Sequence, residues 1–202
     1  MSANILYSFR RCPYAMRARM SIIRAELTCE LREVDLKNRP NEMLEISPKG
    51  TVPVLITAQK EIIEESLEIM QYARNWELSE EEKYWVMRND DEFKFHLDRY
   101  KYANRYEDPN ADYHREMASK YLEDLNNFVS ELKNNHNLSD ALFPFVRQFA
   151  NHQIEWFNSK SWPMLQNWLA ECLDDSKFKI CMKKYPIWEK NNPLTTFPPE
   201  SP

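Results

Sequence analysis

The chain has 202 residues, 29% of them charged, and a formal net charge of −5 at pH 7. This length supplies one large domain or two small ones, with enough material for a hydrophobic core. The acidic balance gives no general attraction to nucleic acid, and no run of about 18 apolar residues is present to span a membrane.

The cysteines and the N-terminal residues indicate a reducing, cytoplasmic location. Cysteine occurs only at four scattered positions, too few for a disulfide scaffold in a chain of this length: Cys12, Cys29, Cys172 and Cys181. The first residues, MSANILYSF, lack the charged head and long apolar middle of a signal peptide. The four histidines lie 16 to 22 residues apart, which is not the spacing of metal ligands, so we predict no metal site.

The N-terminal segment predicts two parallel strands joined by a helix. Residues 4–8 form a short apolar strand, and residues 28–34 alternate as a second strand. Between them, Pro13 begins a helix that continues to about Glu26. Such a strand–helix–strand unit is right-handed. The basic residues of this helix fall mostly off its apolar face: Arg17, Arg19 and Arg24.

Cys12 directly precedes the first turn of this helix. Unpaired backbone N–H groups and the helix dipole favour negative charge there, and Arg10 and Arg11 add positive charge just upstream. Cysteines in such settings have pKa values of roughly 3.5–7.5 rather than about 8.5. We therefore predict that Cys12 is a reactive thiolate and not a small buried apolar residue.

A proline-containing loop and a short antiparallel pair of strands follow. Residues 47–53, SPKGTVP, lead into a strand at 54–56, and residues 62–63 form a fourth strand. Gly50 is the single glycine of the chain. Because the other turns do without glycine, we predict a positive φ or a close backbone approach at this position.

The rest of the chain is predicted to be helical. Ser66 caps a helix over residues 67–76, and the acidic segment 78–83 connects a first domain at 1–77 to an all-helical domain at 84–202. The proline-rich tail from Pro186 onward is predicted to be irregular. Helices in the second domain are predicted at residues 84–106, 113–132, 140–157, 162–173 and 178–184.

Three motifs resemble the glutathione S-transferases, and among them the cysteine-type omega class and its bacterial relatives. The run YSFRRCPYAMRAR from Tyr7 to Arg19 is similar to the omega-class active-site run. The run SPKGTVPVL resembles the cis-proline loop of the family, and Glu65–Ser66 resembles its γ-glutamyl-binding pair. The resemblance implies an α/β thioredoxin-like N-terminal domain, in the order βαβ-ββα, followed by an all-α C-terminal domain.

The resemblance also implies a glutathione-binding site built from three loops at one end of the sheet. Val52, before a cis-Pro53, would pair its backbone with the cysteinyl residue of the tripeptide. Ser66, at a helix N-terminus, would bind the γ-glutamyl carboxylate, and Glu65 would receive the γ-glutamyl ammonium group.

Two basic residues compete for the glycyl carboxylate of glutathione. Arg39 corresponds to a position where the omega class carries Lys, and Arg can bind a carboxylate through two hydrogen bonds. Lys37, two residues earlier, is the alternative. Tyr14, from the Cys-Pro-Tyr-Ala run, belongs to the same predicted site by resemblance.

The chemistry implied by the resemblance is that of a single thiol. The position where a second cysteine would stand is Ala15, so Cys12 forms no intramolecular disulfide within this motif. The predicted function is a glutathione-dependent thiol transferase or reductase in which Cys12 is the catalytic nucleophile and glutathione is the co-substrate. Two alternatives stay open: conjugation of glutathione to electrophiles, assisted by Tyr7 or Ser8, and a non-catalytic interaction module that has kept the fold.

An aromatic helical segment at 93–106 is a candidate lining for a second-substrate pocket between the domains. Arg99, Tyr102 and Tyr106 would face a small electrophile or disulfide there; alternatively, the aromatic residues are core and the charges are surface. The acidic balance argues against a nucleic-acid partner, and no membrane partner is expected. The resemblance implies a homodimer.

Overall fold

The structure is a computed structural model that describes residues 3–107, 110–134 and 136–199. It divides into two compact units: Met1–Glu77 together with Asp175–Pro202, and Leu78–Asp174. The sequence predicted one boundary, at 78–83, and assigned all of 84–202 to the helical domain. The described residues after Asp174 instead belong to the first unit. No helix among the described residues is long and apolar enough to cross a membrane.

The first unit contains a five-stranded mixed sheet in the order β4-β3-β1-β2-β5. Its strands are β1 (Asn4–Ser8), β2 (Cys29–Glu33), β3 (Val54–Ile56), β4 (Ile62–Ile63) and β5 (Thr196–Phe197). Strand β1 pairs in parallel with β2 and antiparallel with β3, and β3 pairs antiparallel with β4. The parallel β1–β2 pair confirms the predicted strand–helix–strand unit.

The described residues of the first unit include helices α1 (Pro13–Arg24), α2 (Asn41–Ile46), α3 (Ser66–Arg74) and, much later in the chain, α10 (Ser176–Cys181). Helix α1 begins at the predicted proline and ends two residues before the predicted end. Helix α3 packs against α1, and α10 also packs against α1. The core of this unit therefore includes a segment from the C-terminal end of the chain.

The described part of the proline-rich tail is largely irregular, as predicted, but strand β5 within it was not predicted. Strand β5 pairs antiparallel with β2, and Phe197 is fully buried. The Leu31 N–H also donates to the Thr195 carbonyl at 2.8 Å. A two-residue strand among prolines has no alternation from which the sequence could predict it, because its pairing comes entirely from β2.

Arg17 and Arg19 are fully buried, which differs from their predicted placement off the apolar face of α1. Arg19 pairs with the carboxylate of Glu33, donates from Nε to Ser8 Oγ at 2.7 Å, and donates from Nη1 to the Cys181 carbonyl at 3.3 Å. This network joins α1, β1, β2 and α10. The C-terminal segment covers a face of α1 that would otherwise be exposed to water. The periodicity of α1 alone could therefore not reveal that these arginines are buried.

The second unit is helical throughout its regular structure. A Ser79–Glu82 capping box begins its first helix, as both reciprocal hydrogen bonds are present. Helical residues then continue to Lys101 with a π-helical stretch at Arg88–Phe93. Its α-helices are α4 (Glu80–Met87), α5 (Lys94–Lys101), α6 (Ala111–Phe128), α7 (His136–Ala150), α8 (Ile154–Asn158) and α9 (Pro163–Asp174).

Stacked aromatic rings are a prominent part of the core of the second unit. The Phe93 ring stacks on Tyr121 with centroids 4.7 Å apart, and Trp85 stacks on Phe128 at 4.5 Å. Phe93 also contacts Phe149 of α7 at 5.8 Å. The aromatic residues of the predicted helix at 84–106 thus divide between this core and the surface.

Candidate functional site

Cys12 is the N-cap residue of α1, immediately before Pro13 at the first helical position. Its backbone is extended, with φ −78° and ψ 125°, and its N–H donates to the Phe9 carbonyl at 3.0 Å. The half-buried Cys12 Sγ lies 3.7 Å from the Val52 carbonyl oxygen. The strand–turn–helix geometry therefore places the thiol at a helix N-terminus and beside the backbone of the proline loop.

The proline loop has the predicted backbone conformation. The Val52–Pro53 peptide bond is cis, and Gly50 has a φ of +62°. The positive φ confirms the first of the two predicted alternatives. A Cβ at Gly50 would also lie 3.2 Å from Leu44 Cδ2 and 3.3 Å from Arg39 Cδ, so these two side chains leave little room for one.

Arg39 is anchored to the proline loop, since its Nε donates to the Gly50 carbonyl at 2.5 Å. Lys37, the competing candidate, lies in an exposed turn in which its backbone N–H donates to Asp35 Oδ1 at 2.9 Å. Only Arg39 is therefore shown to be connected to the loop that carries Val52. Tyr14 lies in the first turn of α1, and its ring centroid is 5.6 Å from Arg17 Cζ.

The Glu65–Ser66 pair begins α3, but not as the sequence predicted. Glu65 is the N-cap residue, and the buried Ser66 is the first helical residue. The Glu65 carboxylate accepts from Lys49 Nζ at 2.9 Å, and this hydrogen bond raises the pKa of Lys49. Ser47 Oγ donates to Glu64 at 2.6 Å. These contacts bring the proline loop and the start of α3 together.

The side chains of Arg10 and Arg11 have identified contacts near the helix start. Arg10 Nη1 donates to the Met182 carbonyl at 3.5 Å, and Arg11 Cζ lies 5.4 Å from the Phe9 ring. The prediction from the sequence gave both arginines one role, to supply positive charge near Cys12. In the structure, Arg10 also connects the loop before α1 to the C-terminal segment.

The hydroxyl groups of Tyr7 and Ser8 are held by arginines inside the first unit. Tyr7 accepts a hydrogen bond from Arg32 Nη1 at 2.6 Å, and burial raises the pKa of Tyr7 even though Arg32 lowers it. Ser8 is fully buried and accepts from Arg19. These contacts give Tyr7 and Ser8 structural roles that the sequence did not indicate.

Trp188 is a neighbour of this arrangement that sequence reasoning missed. Its ring lies 4.3 Å from Arg32 Cζ and 6.1 Å from the Tyr7 ring. Its backbone N–H donates to the Glu33 carbonyl at 2.8 Å. The signal in the sequence was a tryptophan in an otherwise polar, proline-rich tail, which indicates a segment that packs against something.

The predicted second-substrate residues lie in the second unit. Arg99 and Tyr106 line a cavity of about 760 Å³, together with Phe95, Tyr113, His96 and His114. Tyr102 does not line this cavity and instead stacks with Arg105, whose Cζ lies 4.2 Å from its ring. Among the described residues, no group of three or more His, Cys, Asp or Glu side chains could hold a metal ion.

Comparisons with known proteins identify the first unit. Residues 6–76 match the family model of the glutathione S-transferase N-terminal domain. This match identifies residues 6–76 as a glutathione S-transferase N-terminal domain. Omega-1 glutathione S-transferase of Mus musculus is 36% identical over 67 residues, and omega-2 of Homo sapiens is 34% identical over 67 residues. In each comparison the match spans 33% of this chain and 28% of the relative.

Solved structures show the glutathione S-transferase fold over most of the chain. A family member from Pseudomonas fluorescens pf-5, solved with two glutathione bound, has a TM-score of 0.75 at 16% identity. The comparison covers 90% of this chain and 92% of that chain. The tau-class enzyme of mango, Mangifera indica, has a TM-score of 0.74 at 19% identity, covering 90% and 93%.

Proposed function

We propose that the protein is a glutathione-dependent thiol transferase or reductase in which Cys12 is the nucleophile. The observation that carries this proposal is the position of Cys12 Sγ at the N-terminus of α1 and 3.7 Å from the Val52 carbonyl. A helix N-terminus stabilises a thiolate, and the adjoining loop offers backbone groups to a peptide ligand. The similar Pseudomonas putida enzyme was solved with glutathione disulfide bound.

Glutathione would bind along the loops that meet at Cys12. Its cysteinyl backbone would pair with Val52, and its γ-glutamyl carboxylate would accept hydrogen bonds at the start of α3, where Ser66 is the first residue. Its ammonium group would take the place of Lys49 on Glu65, and Arg39 would bind the glycyl carboxylate. In each proposed contact, a charged or backbone group of glutathione meets a protein group of opposite charge or opposite hydrogen-bonding role.

The proposed reaction is two thiol–disulfide exchanges. The Cys12 thiolate attacks the glutathionyl sulfur of a mixed disulfide, forming a Cys12–glutathione disulfide and releasing the substrate as a thiolate. A second glutathione thiolate then attacks the glutathionyl sulfur, forming glutathione disulfide and regenerating the Cys12 thiolate. In the net reaction, the mixed disulfide and one free glutathione become the substrate thiol and glutathione disulfide, so the substrate sulfur is reduced and the sulfur of the free glutathione is oxidised. Ala15 supplies no resolving thiol, so free glutathione must do so.

The direct test is the turnover of a glutathione mixed disulfide by a Cys12→Ala variant. We expect turnover to be abolished while the protein still binds to glutathione resin. Cys172→Ala, which removes another half-buried thiol, is the matched control and should keep full activity. If the Cys12→Ala variant retains activity, Tyr7 or Ser8 becomes the better candidate.

Two further assays separate the alternatives. Turnover of chlorodinitrobenzene that exceeds thiol transfer would favour conjugation. Failure of the wild-type chain to bind glutathione resin would favour a non-catalytic interaction module. A homodimer is also part of the proposal; it rests on the family resemblance, and light scattering measures it. The proposed cytoplasmic location rests instead on the few, scattered cysteines.

A further inference from the structure

A tight turn built on two arginines leads directly into Cys12. The Cys12 N–H donates to the Phe9 carbonyl at 3.0 Å, so Arg10 and Arg11 are the two central residues of this turn. The two arginine side chains have different partners. This difference determines which of them a substrate can reach.

Arg10 is bound within the first unit. Its backbone N–H donates to Glu33 Oε1 at 2.8 Å, and its Nη1 donates to the Met182 carbonyl at 3.5 Å. Glu33 is itself buried and pairs with Arg19, so its negative charge is compensated inside the unit. These contacts connect the turn to β2 and to the C-terminal segment.

Arg11 is the exposed cation of the turn. Its Cζ lies over the half-buried Phe9 ring, 5.4 Å from the centroid, and Phe9 packs with Cys12 against one apolar cluster. Across the part of the chain that the structure describes, no carboxylate forms an ion pair with Arg11. Its planar guanidinium can therefore donate two parallel hydrogen bonds to a carboxylate of a substrate.

A second cationic segment meets the first at this turn. Met182, which accepts the hydrogen bond from Arg10, is followed directly by Lys183 and Lys184, and both lysines are exposed. Neither lysine forms an ion pair among the described residues. Arg11 and the two lysines therefore concentrate positive charge here, although the net charge of the chain is −5. Such a patch attracts and orients acidic partners.

The proposed reaction brings a substrate next to this charge. When the Cys12 thiolate attacks the glutathionyl sulfur, the substrate sulfur is still bonded to it, so the residues beside the substrate cysteine lie only a few bonds from Cys12. None of the contacts proposed for glutathione uses Arg11 or the two lysines. Their charges are therefore left for the other half of the mixed disulfide.

We infer that the preferred substrates are glutathione mixed disulfides of acidic peptide segments, and that Arg11 determines this preference. Arg11 would pair with a glutamate or aspartate next to the substrate cysteine, and Lys183 and Lys184 would add attraction over a longer range. The exchange itself is unchanged: Cys12 receives the glutathionyl group, and the acidic segment leaves as its thiolate. This inference rests on the proposed function at Cys12 and adds its substrate class.

The test compares three pentapeptides, each with a central cysteine joined to glutathione by a disulfide and flanked on both sides by glutamate, glutamine or lysine. Release of the peptide thiol by the full chain measures the transfer to Cys12. We expect the wild type to react about tenfold faster with the glutamate peptide than with the lysine peptide, because one is attracted and the other repelled. Arg11→Gln should lower the ratio of the glutamate rate to the glutamine rate about threefold, as for an exposed ion pair. Arg11→Glu should make the lysine peptide the faster substrate.

The ratio between peptides is the readout because Arg11 also adds positive charge near the Cys12 thiolate. Loss of that effect alone would slow all three peptides equally. Lys60→Gln is the matched control, since this exposed lysine lies in the turn between β3 and β4, at the end of the sheet opposite Cys12, and should leave the ratio unchanged. In the wild type, about 0.5 M salt should reduce the preference, which provides a measurement even if a variant fails to fold.

Two kinds of failure can be distinguished. Equal rates for the three peptides in the wild type, or an unchanged ratio in Arg11→Gln, would overturn the inference and leave the proposed function in place. Absence of transfer from any of the peptides would contradict the proposed function itself, and the inference with it.

Discussion

Both units have buried apolar cores, but the first adds a buried ion-pair network and the second adds stacked aromatic rings. The first unit buries an ion pair between Arg19 and Glu33, with Ser8 and the Cys181 carbonyl as further partners of Arg19. The second unit buries stacked rings such as Phe93 on Tyr121. A buried ion pair requires every partner to be present, whereas stacked rings require mainly the correct shape. The first unit should therefore be sensitive to single polar substitutions, and the second to loss of volume.

The candidate sites show a related contrast. In the first unit, the side chains proposed to bind glutathione already have partners within the chain, with Lys49 on Glu65 and Arg39 on the Gly50 carbonyl. In the second unit, Arg99 has only aromatic rings and a backbone carbonyl as partners among the described residues. A ligand at the first site must replace partners that these side chains already have within the chain. A ligand at Arg99 would add a partner without replacing one.

Removing one member of the buried ion pair is the largest disruption that we expect. Glu33→Gln should lower the free energy of unfolding by about 3–5 kcal/mol, because it leaves the Arg19 charge buried and uncompensated. Urea denaturation followed by circular dichroism measures this change. The matched control is Arg24→Met, which breaks a more exposed pair with Asp175 and should cost less than about 1 kcal/mol. Equal losses in the two variants would contradict the contrast between the units.

Loss of volume in the second unit should have an intermediate effect. Phe93→Leu should lower the free energy of unfolding by about 1–2 kcal/mol, because the fully buried ring stacks on Tyr121. Phe95→Leu, at a ring that is 47% exposed, should change it by no more than about 0.5 kcal/mol. The same denaturation experiment measures both variants. A loss for Phe93→Leu as large as that of Glu33→Gln would remove the distinction.

Gly50 provides a backbone test within the proline loop. Gly50→Ala should destabilise the protein by about 1–2 kcal/mol, the cost of a left-handed conformation for a residue with a side chain. The new Cβ would also lie 3.2 Å from Leu44 Cδ2. Thermal denaturation measures the loss, and Ala58→Gly in the following turn is a control for a general effect of composition. An unchanged melting temperature in Gly50→Ala would show that the loop can adopt another conformation.

The smallest expected effect tests the exchange of partners at Glu65. If the ammonium group of glutathione replaces Lys49, Lys49→Met should strengthen glutathione binding by up to about fivefold, the value of an exposed ion pair. Calorimetry with glutaryl-cysteinylglycine, which lacks the ammonium group, should show no gain. Lys60→Met is the control for a loss of surface charge. Weaker glutathione binding in Lys49→Met would mean that this lysine contacts the ligand.

Much of the first unit could be predicted because its signals are local. The strands at 54–56 and 62–63 are short apolar runs bounded by turn residues, and their observed bounds agree with the prediction. The positive φ of Gly50 could be predicted because this is the single glycine of the chain. Cys12 was recognised from the motif, and the structure adds its contact with Val52.

The features that escaped prediction depend on residues distant in sequence. Arg19 is buried because α10 and β5, more than 150 residues later, cover it through Cys181 and Phe197. His96 and His114 are 18 residues apart on different helices, and only the packing of α5 against α6 brings their Nδ1 atoms together. Neither periodicity nor ligand spacing along the chain contains this information.

The most direct measurement for the proposed role of Cys12 is peptide mass spectrometry after incubation with glutathione disulfide. The account predicts one glutathionyl adduct, on the peptide that contains Cys12, and its release by reduced glutathione. Cys29 serves as an internal reference, because burial raises its pKa to about 12 and should keep it unmodified. Absence of an adduct on Cys12, or equal modification of Cys12 and Cys29, would contradict the assignment of Cys12 as the nucleophile.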